Sequence, residues 1–207
     1  MANTDELFPV DKELEQALAA SLPSPDAPPE VLHRAMHRAV FSGGKRIRPR
    51  VLIAVAKACG AQGPVSRLVM HAACAIEYVH TASLIHDDLP CFDDAAERRG
   101  QPTLHRVVGE AMAVLAGDAL LARAFEVLSD GPKNLSARAL RLVNLFGRAT
   151  GTTHGIIGGQ GLEEELLQSG ARDPASRSRA LLTLPPDDLD RYHAMKTVAL
   201  FRLATSA

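Results

Sequence analysis

Between positions 87 and 94 the chain carries four aspartates in eight residues, Asp87, Asp88, Asp93 and Asp94, with Pro90 between the two pairs. Carboxylates this dense raise one another's pKa and repel, so gathering them is costly without a cation. Pro90 predicts that the preceding helix stops at about Asp88 or Leu89. On a regular helix Asp87 and Asp93 would lie about 240° apart. If they share a metal, a loop or bulge across Leu89 to Phe92 must bring them together. Mg²⁺ relieves the repulsion best, taking one or two carboxylates and filling its shell with water and substrate phosphates. Arg98 and Arg99 follow, with fork-shaped donors suited to phosphate oxygens. The stretch Ile76 to His105 reads as a metal-bridged phosphate or diphosphate site. A solvated, charged connection between helices is the plain alternative.

The helix leading into the aspartates starts at Gly63-Pro64 and carries Leu68, Val69, Ala72, Ile76 and Val79 as a core stripe. His80 and Asp87 fall about 20° apart on its surface and roughly 10 Å apart along its axis, with Ser83 between them. Alanine and leucine dominate and aromatics make up 4% of the 207 residues, which favours helix over strand. Periodicity predicts further helices from Val10 to Leu22, Glu30 to Phe41, Arg50 to Cys59, Val107 to Leu128 and Leu135 to Ala149, and a last one opening at Pro186. Small residues from Ala111 to Ala119 would allow a close helix approach. The glycine-rich run from Thr150 to Gly161 is either a loop or a helix that something approaches closely. Asp187, Asp188 and Asp190 follow a proline at a helix start, where the dipole accounts for them.

A second charged segment precedes the long helix. Ser42-Gly-Gly-Lys-Arg-Ile-Arg-Pro49 places Lys45, Arg46 and Arg48 at a helix start. Unpaired N–H groups there already favour anions, so cations in that position suggest an anion between them. An exposed basic turn is the alternative. No Ser or Thr follows Lys45 and no strand precedes it, which excludes a Walker A loop.

Composition limits the rest. Lys plus Arg number 23 against 24 Asp plus Glu, which gives no general footprint for nucleic acid. Three cysteines without C-x-x-C spacing read as reduced thiols in a cytosolic protein rather than a zinc site. The polar, acidic start is no signal peptide, and no uninterrupted apolar run reaches ~18 residues, so no membrane span is expected.

Together these residues resemble the trans-isoprenyl diphosphate synthase (polyprenyl synthetase) family. GGKRIRP, HTASLIHDDLPCFDDAAERRGQPT, LAGDALL from Leu115, GGQGLE from Gly158 and Lys196-Thr197 occur in the family's order, over roughly three quarters of the chain. The aspartate motif is most similar to that of bacterial geranylgeranyl diphosphate synthases of carotenoid and bacteriochlorophyll pathways. The resemblance implies an all-α, isoprenoid-synthase-type helical bundle around a central cavity. Residues 1–207 would form one domain, the N-terminal two thirds of the family fold, with the C-terminal helices missing. It implies condensation of isopentenyl diphosphate with an allylic diphosphate, Mg²⁺ as cofactor, a homodimer and a cytoplasmic location.

It also implies roles. Lys45, Arg48, His80 and Arg99 would hold the diphosphate of isopentenyl diphosphate. Asp87 and Asp93, supported by Asp88, would ligate Mg²⁺ on the allylic diphosphate, which Arg98, Lys196 and Thr197 would contact. Gln160 would line the same cavity. Asp87, Asp93, Arg98 and Lys196 would carry the catalysis. Ala82 and Ser83, small and taken as one turn beneath Asp87, would floor a tunnel long enough for a C20 product. Three departures stand out. Glu163 replaces the aspartate of the GGQxxD pattern, Ala95 and Ala96 replace acidic residues, and the second DDxxD motif does not occur by residue 207. The last of these raises a regulatory, catalytically silent subunit of a heteromeric synthase as the alternative. A terpene cyclase would not need GGKRIRP.

Overall fold

The computed structural model describes residues 11–130, 135–167, 181 and 183–207. The chain order there is α1 (Asp11–Ser21), α2 (Glu30–Val40), α3 (Ile47–Ala58), α4 (Pro64–Asp87), a hairpin of β1 (Glu97–Arg98) and β2 (Gln101–Pro102), α5 (Leu104–Val108) and α6 (Glu110–Ser129). It continues with α7 (Ser136–Thr150), α8 (Ile156–Leu167), α9 (Pro186–His193), a π turn (Ala194–Val198) and α10 (Ala199–Ser206). Apart from α5, which begins before the helix start expected at Val107, and α8, where the glycine-rich run had been left open between loop and helix, each α-helix falls on or near a predicted one.

α4 is the axis of the bundle. Residues 72–79 are buried on every side, the condition under which a helix can be apolar all round. α6 packs along it most extensively, and α1, α2, α3, α7 and α10 also touch it. The α4–α6 contact is close because both helices present small residues. Ala72, Ala73, Ala75, Ala113 and Ala116 are at most 1% exposed. The segment Ser66–Asp87 has a mean hydropathy of 1.3 over an 18-residue window and passes for a membrane span by length and composition. Uninterrupted run length alone did not single this segment out. Most of the window, 67%, is buried against protein, as a core helix requires.

Three local features differ from the periodicity reading. Pro49 sits in the first turn of α3, where its missing N–H costs no hydrogen bond, so α3 starts at Ile47, not Arg50. The long helix expected from Val107 is split at Gly109, whose φ of 84° a helix cannot accommodate. The last helix contains a π turn, which takes in one extra residue and includes Lys196-Thr197.

Candidate active site

α4 ends at Asp87 and the chain then doubles back. The Leu89 N–H donates to the His86 carbonyl at 3.1 Å, and the Asp93 N–H donates to the Asp87 carbonyl at 3.0 Å. This is the loop that the six-residue spacing demanded. The Asp93 carboxylate is near enough for its charge to act on Asp87.

Asp87 lines a cavity of about 470 Å³ between the end of α4, α8 and the π turn. Lys196, Thr197, Gln160, Arg48, His80 and Ser83 line it too, with Phe92, Leu121, Ile156 and Leu200 as apolar wall. Lys196 faces Asp87 at 3.8 Å and is bonded to the buried Glu163. α8 can lie this close to the π turn because Gly159 has no side chain; a Cβ there would stand 2.8 Å from the Lys196 Cα. Burial pushes the Asp87 carboxyl up to about 6; Lys196 pulls it down, while Asp93 and Glu163 push it further up. Burial alone would lower the Lys196 ammonium, but Asp87 and Glu163 outweigh it and raise it. The Gln160 amide donates to Glu164 at 3.2 Å, and its carbonyl oxygen is buried without a hydrogen-bond partner among the described residues.

A second, basic cleft of about 570 Å³ adjoins it, lined by Lys45, Arg48, His80, Arg99 and Glu77 among others. Arg48 and His80 line both spaces and form the partition between them. Desolvation, helped by Arg48, Arg99, Arg98 and Arg46, pushes the His80 imidazole down to about 3. The ring is therefore neutral at ordinary pH and its Nε2 accepts from the Arg48 Nη1, 3.2 Å away.

The hairpin sends its two arginines apart. Arg99 and Gly100 have φ of 55° and 73°, the paired positive angles of a tight two-residue hairpin turn. Arg99 donates to the Gly43 carbonyl at the basic cleft. Arg98 turns the other way and grips Asp88 with Nε and Nη2 at 2.7–3.0 Å.

That pair places Asp88 and Arg98 against each other. Asp88 is 100° further round the helix than Asp87. It is 4% exposed and lies outside the cavity that Asp87 lines. Its carboxylate is the partner of Arg98. Ala82, five residues before Asp87 and about 140° round the helix from it, is wholly buried in the core. Ser83, four residues before, does line the cavity. Arg46, read with Lys45 and Arg48 as facing an anion, is buried and held by Glu15 and Glu77, each at 2.8 Å, and by the Val40 carbonyl at 2.7 Å.

Among the described residues no group of three or more His, Cys, Asp or Glu side chains is gathered for a metal. Asp87 lines the cavity and Asp93 is near enough for its charge to act on it, so two carboxylates are offered together. Two fit Mg²⁺, whose remaining positions are filled by water and substrate phosphates.

The profile of the polyprenyl synthetase family matches residues 29–207. The chain belongs to this family. A geranylgeranyl diphosphate synthase of Rhodobacter capsulatus is 44% identical over 199 residues, which cover 95% of this chain and 61% of that protein. One of Cereibacter sphaeroides is 42% identical over 197 residues, covering 94% and 61%. The apo crystal structure of an FPP/GFPP synthase from Zymomonas mobilis superposes with a TM-score of 0.79 at 33% identity, covering 95% of this chain and 66% of the other. The chain thus spans 61% of the length of these two curated relatives. The bundle around a cavity is the isoprenoid-synthase architecture expected from the motifs.

Sequence reasoning missed Glu77 and Glu163 as partners. Glu77 had a signal: it is an acidic residue inside an otherwise apolar helix, and buried charges need counter-charges. Glu163 had been noted only as a departure from the family pattern.

Proposed function

We propose that this polyprenyl synthetase chain carries the diphosphate-binding walls of a Mg²⁺-dependent prenyltransferase, with geranylgeranyl diphosphate as product. One observation carries the reading. A cavity edged by carboxylates and a cation adjoins a cleft edged by cations, and Arg48 and His80 divide them. That arrangement suits two diphosphates of different character. An allylic diphosphate enters the first space against Lys196 and Thr197, where Asp87 and Asp93 would hold Mg²⁺ beside it. Isopentenyl diphosphate enters the second as a bare anion, against Lys45, Arg48 and Arg99. The names of the bacterial relatives support the choice of product.

Bound Mg²⁺ supplies positive charge that makes diphosphate a good leaving group. The chain's residues do the rest. Lys196, held by Glu163, adds a fixed cation where negative charge develops on the leaving oxygen. The allylic C–O bond breaks and its electron pair leaves with diphosphate. The double bond of isopentenyl diphosphate, positioned from the other side of the partition, forms the new C–C bond with the allylic cation. Loss of a proton then restores an allylic double bond. Phe92, Leu121, Ile156 and Leu200 keep water from the cation. The growing chain extends past Ser83 and Leu121.

The residues before and after this site would form one domain, which works in the cytoplasm as a homodimer. Incubation with Mg²⁺, isopentenyl diphosphate and farnesyl diphosphate, followed by product chromatography, tests the reading. A geranylgeranyl product supports it. No product, with a changed product length when an active synthase is added, replaces it with the regulatory-subunit reading. Failure to bind either diphosphate sinks both.

A further inference from the structure

The arginines around the two spaces differ in what holds them. Arg46 is held by Glu15 and Glu77, and Arg98 by Asp88. Each of those guanidiniums already faces a carboxylate. Arg48 is gripped differently. The neutral His80 ring accepts from Nη1 at 3.2 Å. On another side the Phe201 ring lies under the guanidinium, its centroid 4.7 Å from Cζ. The Arg48 Nε is buried without a hydrogen-bond partner among the described residues. Phe201 lines neither cavity. It sits at the start of α10, five residues after Lys196 and beyond the π turn.

A guanidinium held by an aromatic face and an imidazole lone pair is fixed in place without being neutralised. A carboxylate in the same position would fix it equally well and cancel the charge a diphosphate needs. An aromatic face attracts a cation through its quadrupole, and does so more strongly when water is excluded. The same stacking leaves the edge of the guanidinium, where its N–H donors lie, free to meet an anion.

We propose that Phe201 is a positioning residue for Arg48: its ring holds the guanidinium in the partition so that its charge is available to the diphosphate in the basic cleft. The inference rests on the two-cavity reading of function and adds to it a residue that touches no substrate. Phe201 also lies on the helical segment that carries Lys196-Thr197. The two spaces therefore share one rigid element as well as one arginine.

The test is the affinity of the full 207-residue chain for isopentenyl diphosphate, measured by calorimetry without metal, in Phe201→Ala, Phe201→Leu, Phe201→Tyr and Arg48→Ala. Phe201→Ala and Phe201→Leu are expected to weaken binding about tenfold, the size of a partly buried cation–π contact. Phe201→Tyr keeps the ring and is expected to stay within about twofold of the parent. Leu preserves the packing, so the contrast between Leu and Tyr separates positioning from simple stability. In NMR spectra the Arg48 Nε–H proton, assigned by its loss in Arg48→Ala, should shift when the ring is removed and keep its place in Phe201→Tyr. Equal affinity for the Leu and Tyr variants, with Arg48→Ala impaired, overturns this inference alone. A parent chain that does not bind, or an Arg48→Ala variant that binds as well as the parent, overturns the two-cavity reading beneath it.

Discussion

Asp87 should make the metal-free protein less stable as pH rises. Its carboxyl is 18% exposed and has been pushed by burial from 3.8 to about 6. At about 1.4 kcal/mol for each tenfold, the charged form is about 3 kcal/mol less favourable in the fold than in the unfolded chain. The sign follows from the raised value. Below 3.8 both states carry the proton and no penalty arises; above about 6 the folded protein bears all of it. Asp87→Asn removes the charge. At pH 8 the variant should therefore be more stable than the parent by up to about 3 kcal/mol, or ~6–12 °C in Tm for a chain of this size. At pH 4 the gain should nearly vanish. Urea and thermal unfolding at both pH values, in EDTA, measure it. Mg²⁺ with inorganic pyrophosphate should narrow the gap at pH 8 by stabilising only the parent, through ligation of the carboxylate. An Asp87→Asn variant that is destabilised equally at pH 4 and pH 8 would refute the reasoning, since the carboxyl would then be acting through its packing and not through its charge.

Two further outcomes are expected. Arg46→Met leaves the buried Glu77 without its cation and should cost about 3–5 kcal/mol in urea unfolding; a second change, Glu77→Gln, should recover much of that loss, and a failure to recover any would show that the ion pair is not the cause. Leu121→Trp fills the apolar wall across from Ser83 and should stop elongation from geranyl diphosphate at the farnesyl product, read by chromatography; unchanged geranylgeranyl output would place the growing chain elsewhere.

The sequence was most legible where a residue type forces geometry. Pro90 stops α4, and the loop beyond it was required by the spacing of Asp87 and Asp93. Lys45, Arg48, His80 and Arg99, named on motif and helix register, do line one cleft. Helix phase also contained information that went unused. At 100° per residue, Asp88 stands more than a quarter turn round from Asp87 and Ala82 about 140° away, while Ser83 is nearly in line with it. The π turn was hidden for a different reason. Apolar residues before and after it stay in phase with a buried face, because Tyr192, Met195, Leu200 and Leu203 are all buried. Only the backbone reveals that the turn holds one extra residue. The split at Gly109 was hidden by apolar residues on both sides that fit a single helix.

The three cations at the start of α3 show why charge counts alone mislead about a site. By sequence Lys45, Arg46 and Arg48 are one basic cluster facing one anion. In the fold, Arg46 adopts a left-handed backbone, φ 48°, and drives its side chain inward among Glu15, Glu77 and the Val40 carbonyl. It ties α1, α2 and α4 to the first turn of α3. That anchoring holds Lys45 on one side of it and Arg48 on the other, both at the rim of the cleft. A buried ion pair adds little net stability over an apolar substitute but is costly to break. Its use at this point is therefore geometric: it fixes where the two remaining cations stand. The partner, and not the residue type, decides whether a cation serves the fold or is left for a ligand.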